Sequence, residues 1–141
     1  MRISVVIPSY NRAKLLPITL PTYIQQEDVI ELILVDDCST DNTPDVVKNL
    51  QKDYPCIRYF RNEKNLKQTY SKNVGIREAK GDYIYFGDDD SILQPGSLAF
   101  LKETILREKA LICGAKALYL PMEYESKIEN YVNKMDVPLP K

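Results

Sequence analysis

Short apolar runs recur along this 141-residue chain, and stretches long enough for a helix separate them. Strands are predicted over Ile3–Ile7, Glu31–Asp36, Ile57–Phe60 and Tyr83–Phe86. Strands that alternate with helices indicate an α/β fold, with a mainly parallel central sheet covered by helices on both faces. In such a three-layer α/β/α domain, ligands bind beyond the carboxyl ends of the strands.

The helices between these strands are predicted from apolar periodicity and from capping signals. Pro21 is expected to kink the first helix. Thr43 is expected to be the N-cap of the second, with Pro44 at its first helical position. Gly81 is expected to end the third helix at the C′ position, and Ala110–Leu120 is expected to be extended. The helices should cover about Leu15–Gln26, Thr43 to Tyr54-Pro55, Asn65 or Leu66 to Lys80, and a stretch from Pro95 onward.

Charge and composition exclude several classes of function. The net charge of −1 gives no electrostatic case for binding nucleic acid. The sequence has no His, which excludes Ser-His-Asp catalysis, Cys-His catalysis and His-ligated metals. Three widely spaced cysteines without a CxxC motif argue against disulfides and zinc, and fit a reducing compartment. No apolar run approaches the roughly twenty residues that cross a bilayer. A cytoplasmic protein is therefore expected, and attachment to the inner face of the cell membrane stays open.

Three consecutive carboxylates, Asp88-Asp89-Asp90 (the acidic triplet), follow the fourth predicted strand. They repel one another unless a cation is near, and oxygen ligands suit the Mg²⁺ or Mn²⁺ that carries a substrate's phosphates. In extended backbone Asp88 and Asp90 point the same way, so that one face could hold a metal and Asp89 could meet a ribose hydroxyl. The alternative is a solvated acidic loop that caps the helix near Pro95.

Polar residues also follow the first two strands. Tyr10, within Ser9-Tyr10-Asn11, could stack on a base, or could only cap the core. One carboxylate of Asp36-Asp37 could accept a hydrogen bond from a nucleobase N–H, or could only serve the turn. Lys72, in the third helix, could face a diphosphate or could lie on an exposed helix face. These residues should lie along one edge of the sheet with the acidic triplet.

Taken in order, these motifs resemble the family 2 glycosyltransferases, which have the GT-A fold. The resemblance runs from Ile3 to about Leu106. Its pieces are Val5–Arg12, Ile33–Asp41, Asn65-Leu66, Lys72–Gly75, Gly81–Ile84 and Phe86–Asp90, with Pro95 after them.

The resemblance implies binding of a nucleotide diphosphate sugar, with a UDP-sugar favoured and Mn²⁺ or Mg²⁺ as cofactor. Tyr10 would lie against the base, and Asp37 matches the position that reads it. The triplet holds the family's DxD motif as Asp88-x-Asp90, in which Asp90 binds the metal. The residues expected to bind the nucleotide are Pro8, Ser9, Tyr10, Asn11, Asp36, Asp37, Lys72, Asp88 and Asp89, and those expected to bind the metal are Asp88 and Asp90.

This sequence departs from the family pattern at two positions. Lys72 stands where the family often has Arg, so the charge is kept but the forked geometry of a guanidinium is lost. Lys67 stands where Gly is common after Asn65-Leu66, which leaves open whether that turn differs.

The family's catalytic base is an Asp or Glu on the acceptor half of the fold, well beyond the DxD motif. Glu123, Glu125 and Glu129 are available, but none lies in a convincing context. The base is therefore expected to be absent, and the chain to be a cut or naturally short nucleotide-binding half. Residues 1–121 would form the nucleotide-sugar-binding domain and residues 122–141 a polar, partly helical tail. Dimerisation could cover apolar surface left near Ala110–Leu120.

The activity that the resemblance implies is inverting sugar transfer to an unknown sugar, lipid or protein acceptor, in glycan or polysaccharide synthesis. The rival from another class is a non-catalytic module that binds a nucleotide sugar. A nucleotidyltransferase ranks lower, because that class usually has a glycine-rich basic loop after the first strand and Ser9–Arg12 contains no glycine.

Overall fold

The computed structural model describes residues 1–114, and strands alternate with helices throughout that part. This confirms the predicted α/β alternation. The elements are β1 (Ile3–Ser9), α1 (Leu16–Ile24), β2 (Val29–Asp36), α2 (Thr43–Asp53), β3 (Ile57–Arg61), α3 (Lys67–Glu78), β4 (Tyr83–Phe86) and α4 (Ser97–Glu108).

The strands form one sheet in the order β3-β2-β1-β4, and each neighbouring pair is parallel. The register sets Ser9 opposite Asp36, and Asp36 in turn opposite Arg61. On the other side of β1, Val6 lies opposite Phe86. Because all strands run the same way, their last residues share one side of the sheet, which we call the carboxyl edge.

Side chains alternate between the two faces of the sheet, and both faces are covered by helices. On one face α1, α2 and α4 bury apolar residues such as Leu20, Val47 and Leu98 against β1 and β2. On the other face α3 covers Val6, Ile33 and Val35. Gly75 lets α3 come close, since a Cβ atom there would lie 2.2 Å from Val6 Cγ1. The predicted three-layer arrangement is confirmed.

Two predicted helix ends are wrong. Thr43 lies inside α2, whose N-cap position is Asn42, and Asp41 Oδ1 accepts the Thr43 amide at 3.0 Å. Helix α3 ends at Glu78, before Gly81, and the next residue is extended. Gly81 instead permits a close approach, because a Cβ atom there would lie 2.6 Å from the backbone nitrogen of Ser4.

Some sequence predictions fall outside the described residues. These are the extended conformation beyond residue 114, the tail at 122–141, and the contexts of Glu123, Glu125 and Glu129. Residues 110–114 form no strand. Within residues 1–114, none of the helices has the length and hydropathy needed to cross a membrane.

Candidate functional site

Three loops meet at the carboxyl edge through direct contacts. The Asp37 amide donates to the Ser9 carbonyl at 2.8 Å, which joins the ends of β1 and β2. The Tyr10 amide donates to Asp89 Oδ2 at 3.4 Å, which joins β1 to the loop after β4. The structure therefore places the three polar groups that follow strands side by side, as parallel topology requires.

The four residues predicted at the end of β1 differ in exposure. Pro8 and Ser9 are buried in β1, whereas the Tyr10 side chain is 42% exposed and accessible to a ligand. Asn11 has a left-handed backbone with φ of 53°. Its Oδ1 accepts the Thr40 amide at 2.7 Å, so Asn11 ties the β1–α1 loop to the β2–α2 loop.

Asp36 is fully buried at the end of β2, and contacts within the protein occupy both of its oxygens. Oδ1 accepts the Ser39 amide at 2.8 Å, and Oδ2 accepts the Tyr59 hydroxyl at 2.6 Å. Arg61 Nε lies 3.8 Å from Oδ2 and balances the charge. This arrangement fixes the start of the β2–α2 loop.

Asp37 is 5% exposed and accepts three N–H groups. Asn62 Nδ2 and the Leu66 amide each donate to Oδ1 at 2.8 Å, and the Lys67 amide donates to Oδ2 at 2.7 Å. Burial by itself raises the pKa of Asp37, but these hydrogen bonds outweigh it and lower the pKa below its usual range. Asp37 is therefore held as a carboxylate that organises the first turn of α3.

The acidic triplet presents its members differently. Asp88 is exposed, whereas the Asp89 side chain is 15% exposed and turned toward β1. Arg12 reaches both Asp89 and Asp90, with Nε 3.5 Å from Asp89 Oδ1 and Nη2 3.8 Å from Asp90 Oδ2. Burial raises the pKa of Asp89, while the Ser9 hydroxyl and Arg12 oppose that rise. Within residues 1–114, no three acidic or cysteine side chains form a ready-made metal cluster.

Helix α1 holds the backbone of the triplet loop, a role that the sequence did not reveal. The Tyr23 hydroxyl donates to the Asp88 carbonyl at 3.1 Å and accepts the Asp88 amide at 3.2 Å. Thr19 Oγ1 donates to the Asp89 carbonyl at 3.2 Å. Burial raises the pKa of Tyr23, so the hydroxyl keeps the proton that it donates. Further along the loop, Thr22 Oγ1 accepts the Leu93 amide and Gln26 Nε2 donates to the Gln94 carbonyl.

A pattern in the sequence could have revealed this role. Thr19, Thr22 and Tyr23 in α1, with Gln26 two residues beyond its end, recur at positions i, i+3, i+4 and i+7, and all four are buried. Polar side chains on the buried face of a helix need partners, and here the loop supplies them.

Lys72 lies beside the strand that leads into the triplet. Its ammonium lies 5.7 Å from the centroid of the Phe86 ring, in a cation–π arrangement. Gly87, which follows Phe86 in the chain, packs against Tyr23, since a Cβ atom at Gly87 would lie 2.8 Å from the Tyr23 ring. Lys72 therefore borders the carboxyl edge from the α3 side.

A cleft of about 490 Å³ opens beside the triplet, on the side of the α1 and α2 N-termini. Tyr10 and Asp37 are not among its wall residues, so it extends the site away from the expected base position. The wall residues are Asn11, Arg12, Ala13, Lys14, Leu15, Asp41, Asn42 and Asp90.

The family profile described as glycosyl transferase family 2 matches residues 4–134. The chain belongs to glycosyl transferase family 2. This confirms the resemblance inferred from the motifs at the strand ends.

Individual relatives agree with the family assignment. A GalNAc(5)-diNAcBac-PP-undecaprenol beta-1,3-glucosyltransferase of Campylobacter jejuni is 42% identical over 106 residues, which are 72% of this chain and 34% of the relative. The first curated relatives that the chain matches are covered over only 30% to 34% of their length. This chain therefore corresponds to about a third of such proteins.

Solved structures confirm the GT-A fold. The mannosyltransferase PcManGT from Pyrobaculum calidifontis, in complex with GDP-Man and Mn²⁺, aligns with a TM-score of 0.69 at 24% identity, over 74% of this chain and 32% of that one. Residues 1–349 of TarS from S. aureus, in complex with UDP, also align with a TM-score of 0.69 at 24% identity, over 86% of this chain and 38% of that one.

Proposed function

We propose that this chain is the nucleotide-sugar-binding part of an inverting glycosyltransferase that uses a UDP-sugar. The observation that carries the proposal is the meeting of three strand ends at the carboxyl edge. Ser9 contacts Asp37 and Tyr10 contacts Asp89, so candidate groups for base, ribose and metal are adjacent. The family assignment supports reading this edge as a donor site.

Tyr10 and Asp37 are the proposed base-binding residues. The half-exposed ring of Tyr10 is available for stacking on a pyrimidine. The Asp37 carboxylate accepts three N–H groups in this structure. A carboxylate offers about four acceptor positions, so one remains for a base N–H. Asp37 would then bind the base and hold α3 at the same time.

The carboxylates of the triplet fit a divalent metal that arrives with the diphosphate. Mg²⁺ is usually held by one or two carboxylates together with substrate phosphates, so a preformed cluster of three is not required. Asp88 is exposed and Asp90 is 32% exposed, so both can offer oxygen ligands. A bound metal would neutralise charge on the leaving diphosphate. PcManGT, which shares the fold, was solved with Mn²⁺ and GDP-Man.

The choice of UDP and of the acceptor draws on the relatives. TarS, which shares the fold, was solved with UDP and with UDP-GlcNAc. The name of the Campylobacter jejuni relative specifies an undecaprenol-linked acceptor. We therefore favour a lipid-linked glycan acceptor and a place at the cytoplasmic face of the cell membrane. The catalytic base is assigned to the part of the enzyme outside residues 1–114.

Calorimetric titration of UDP, GDP and CDP, each with and without Mn²⁺, tests this proposal. UDP with Mn²⁺ should bind most tightly, and ligand at one hundred times Kd should add about 2.7 kcal/mol to the free energy of unfolding. Asp90→Ala should remove most of the dependence on Mn²⁺. Equal UDP affinity in the wild type and Asp90→Ala would overturn the metal assignment. The absence of binding by any nucleotide would overturn the function.

A further inference from the structure

The guanidinium of Arg12 pairs with the last two carboxylates of the acidic triplet, Asp89 and Asp90. It lies 3.5 Å from Asp89 and 3.8 Å from Asp90, and the side chain is 43% exposed. The residue belongs to the loop after β1, far from the triplet in sequence. Neither the charge pattern nor the motifs assign it a role.

The backbone of this loop is held without the guanidinium. The Arg12 carbonyl accepts the amides of Leu15 and Leu16 at 2.9 and 3.1 Å, at the start of α1. The Ala13 amide donates to Asp41 Oδ2 at 3.2 Å. These bonds hold the loop backbone without involving the charged end of Arg12. Its place beside two carboxylates needs another explanation.

Asp89 and Asp90 are neighbours in sequence, and Asp89 is mostly buried, so their charges repel at short range. The Arg12 guanidinium, which pairs with both carboxylates, reduces that repulsion. A divalent cation that binds Asp90 must compete with this guanidinium for the carboxylate. The pairs are long and partly exposed, so the competition is weak enough to be reversed by a ligand.

We propose that Arg12 is the internal counter-ion of the acidic triplet, and that it couples metal binding to diphosphate binding. This inference rests on the proposed function. A metal ion that binds without a diphosphate must displace the guanidinium from Asp90, and no phosphate is then present to pair with the displaced guanidinium. When the metal arrives with a diphosphate, the freed guanidinium can pair with phosphate oxygens, for which its forked donors are suited. Metal and nucleotide then bind better together than either does alone.

The test is a Mn²⁺ titration followed by the electron paramagnetic resonance signal of free Mn²⁺, without UDP and with saturating UDP. The quantity compared is the Mn²⁺ dissociation constant without UDP divided by the Mn²⁺ dissociation constant with saturating UDP. The variants are Arg12→Gln and Arg12→Lys. Arg2→Gln is the matched control, because Arg2 forms an Arg–Asp pair with Asp82 at 3.1 Å near the opposite, amino ends of β1 and β4. Circular dichroism melting establishes that each variant is folded.

Arg12→Gln should bind Mn²⁺ alone about two- to fivefold more tightly than the wild type, the range expected for a partly exposed ion pair. With UDP present, the same variant should bind Mn²⁺ more weakly than the wild type, so the ratio falls. The ratio for Arg12→Lys should lie between those of the wild type and Arg12→Gln, because lysine keeps the positive charge but lacks the forked donors of a guanidinium. Arg2→Gln should match the wild type.

An unchanged ratio in Arg12→Gln would overturn the inference, and so would unchanged or weaker binding of Mn²⁺ alone. If Mn²⁺ binding tightens in Arg12→Gln while UDP has no effect on any variant, the proposed function and the coupling fail. That result would still support the counter-ion role. If no variant binds Mn²⁺, the inference fails together with the metal site.

Discussion

Lys67 begins α3 with a left-handed backbone, at φ of 69°, and donates its amide to Asp37 Oδ2 at 2.7 Å. Lys67 stands where the resemblance often has glycine, and the sequence left open whether this turn differs. The turn keeps a glycine-like conformation with a lysine in it. A left-handed residue other than glycine costs about 1–2 kcal/mol, so neighbouring contacts must hold it. The Leu66 amide and Asn62 Nδ2, both on the same carboxylate, supply that restraint.

Lys67→Gly should stabilise the protein. Glycine removes the strain of the left-handed conformation but adds disorder to the unfolded chain, so the net gain should be about 0.5–1 kcal/mol. Urea unfolding at neutral pH measures it. Lys64→Gly is the matched control, because Lys64 is exposed in the same segment and lacks a positive φ. A lower midpoint for Lys67→Gly than for the wild type would show that the lysine conformation is not strained.

Asp37→Ala should lower the free energy of unfolding by about 1–3 kcal/mol, because it leaves partly buried amides without an acceptor. It should also weaken UDP binding. The sequence and the family resemblance indicated only a base-reading role for Asp37, and its contacts with the first turn of α3 add a structural role. Urea unfolding and calorimetry on the same protein separate the two effects. Asp53→Ala, at the exposed C-terminal end of α2, should leave UDP binding unchanged and should not lower the free energy of unfolding. An unchanged free energy of unfolding in Asp37→Ala would show that this carboxylate does not stabilise the first turn of α3.

The strands could be predicted because buried parallel strands appear in sequence as short apolar runs with β-branched residues. Tyr83–Phe86 was predicted and found with the same bounds. The helix ends were less predictable, since side-chain acceptors and packing contacts outside each helix decide them. Asp41, two residues before Thr43, accepts its amide, and Gly81 packs against Ser4, 77 residues earlier in the chain.

The meeting of the polar residues that follow the strands could also be predicted, because parallel topology gathers the strand ends at one edge. The contacts within the site could not. Adjacent carboxylates look alike in sequence, yet Asp36 is fully buried, whereas Asp37 accepts a backbone amide of the first turn of α3. The polar residues of α1 that hold the triplet loop recur at helical spacing in the sequence, but the sequence does not identify the groups that they bond. Their partners, such as Asp88, become visible only when the fold brings α1 beneath the loop.

Tyr23→Phe tests whether α1 positions the triplet. The change removes a hydroxyl that bonds both the amide and the carbonyl of Asp88, and it keeps the ring in the core. Stability should fall by about 1 kcal/mol, the typical net value of such hydrogen bonds. Mn²⁺-dependent UDP binding should weaken as well, because the loop is held less firmly. Tyr85→Phe, whose ring lies 6.0 Å from that of Tyr23, is the matched control. Equal UDP affinity in Tyr23→Phe and the wild type would limit Tyr23 to a structural role.

Tyr10→Ala should weaken UDP binding by about 1–3 kcal/mol, the usual value of an aromatic stacking partner. Its side chain is 42% exposed, so the loss of the ring should leave the thermal midpoint almost unchanged. Tyr10→Phe keeps the ring and should bind UDP like the wild type. Calorimetry and circular dichroism together measure both quantities. A strongly destabilised Tyr10→Ala would mean that the ring serves the core.

Glu31→Gln should change the dependence of stability on pH without affecting the site. Glu31 lies at the amino ends of the strands and accepts Ser4 Oγ, Arg58 Nη1 and the Lys80 amide at 2.6, 2.8 and 2.6 Å. Burial raises the pKa of Glu31, but these partners outweigh it and hold the pKa below the ordinary value. A depressed carboxylate pKa gives stability that is present above the unfolded pKa, near 4.3, and is lost as pH falls through the folded pKa.

The variant should therefore be less stable than the wild type at pH 7 by about 1–3 kcal/mol. The difference in free energy of unfolding between Glu31→Gln and the wild type should become smaller as pH falls below about 4, because the wild-type carboxylate then becomes protonated. Urea unfolding at a series of pH values measures this convergence, with Glu27→Gln as an exposed control that follows the wild type. UDP affinity at pH 7 should not change, since Glu31 lies at the opposite end of the sheet from Tyr10. A constant difference between Glu31→Gln and the wild type across the whole pH series would mean that the pKa of Glu31 is not depressed.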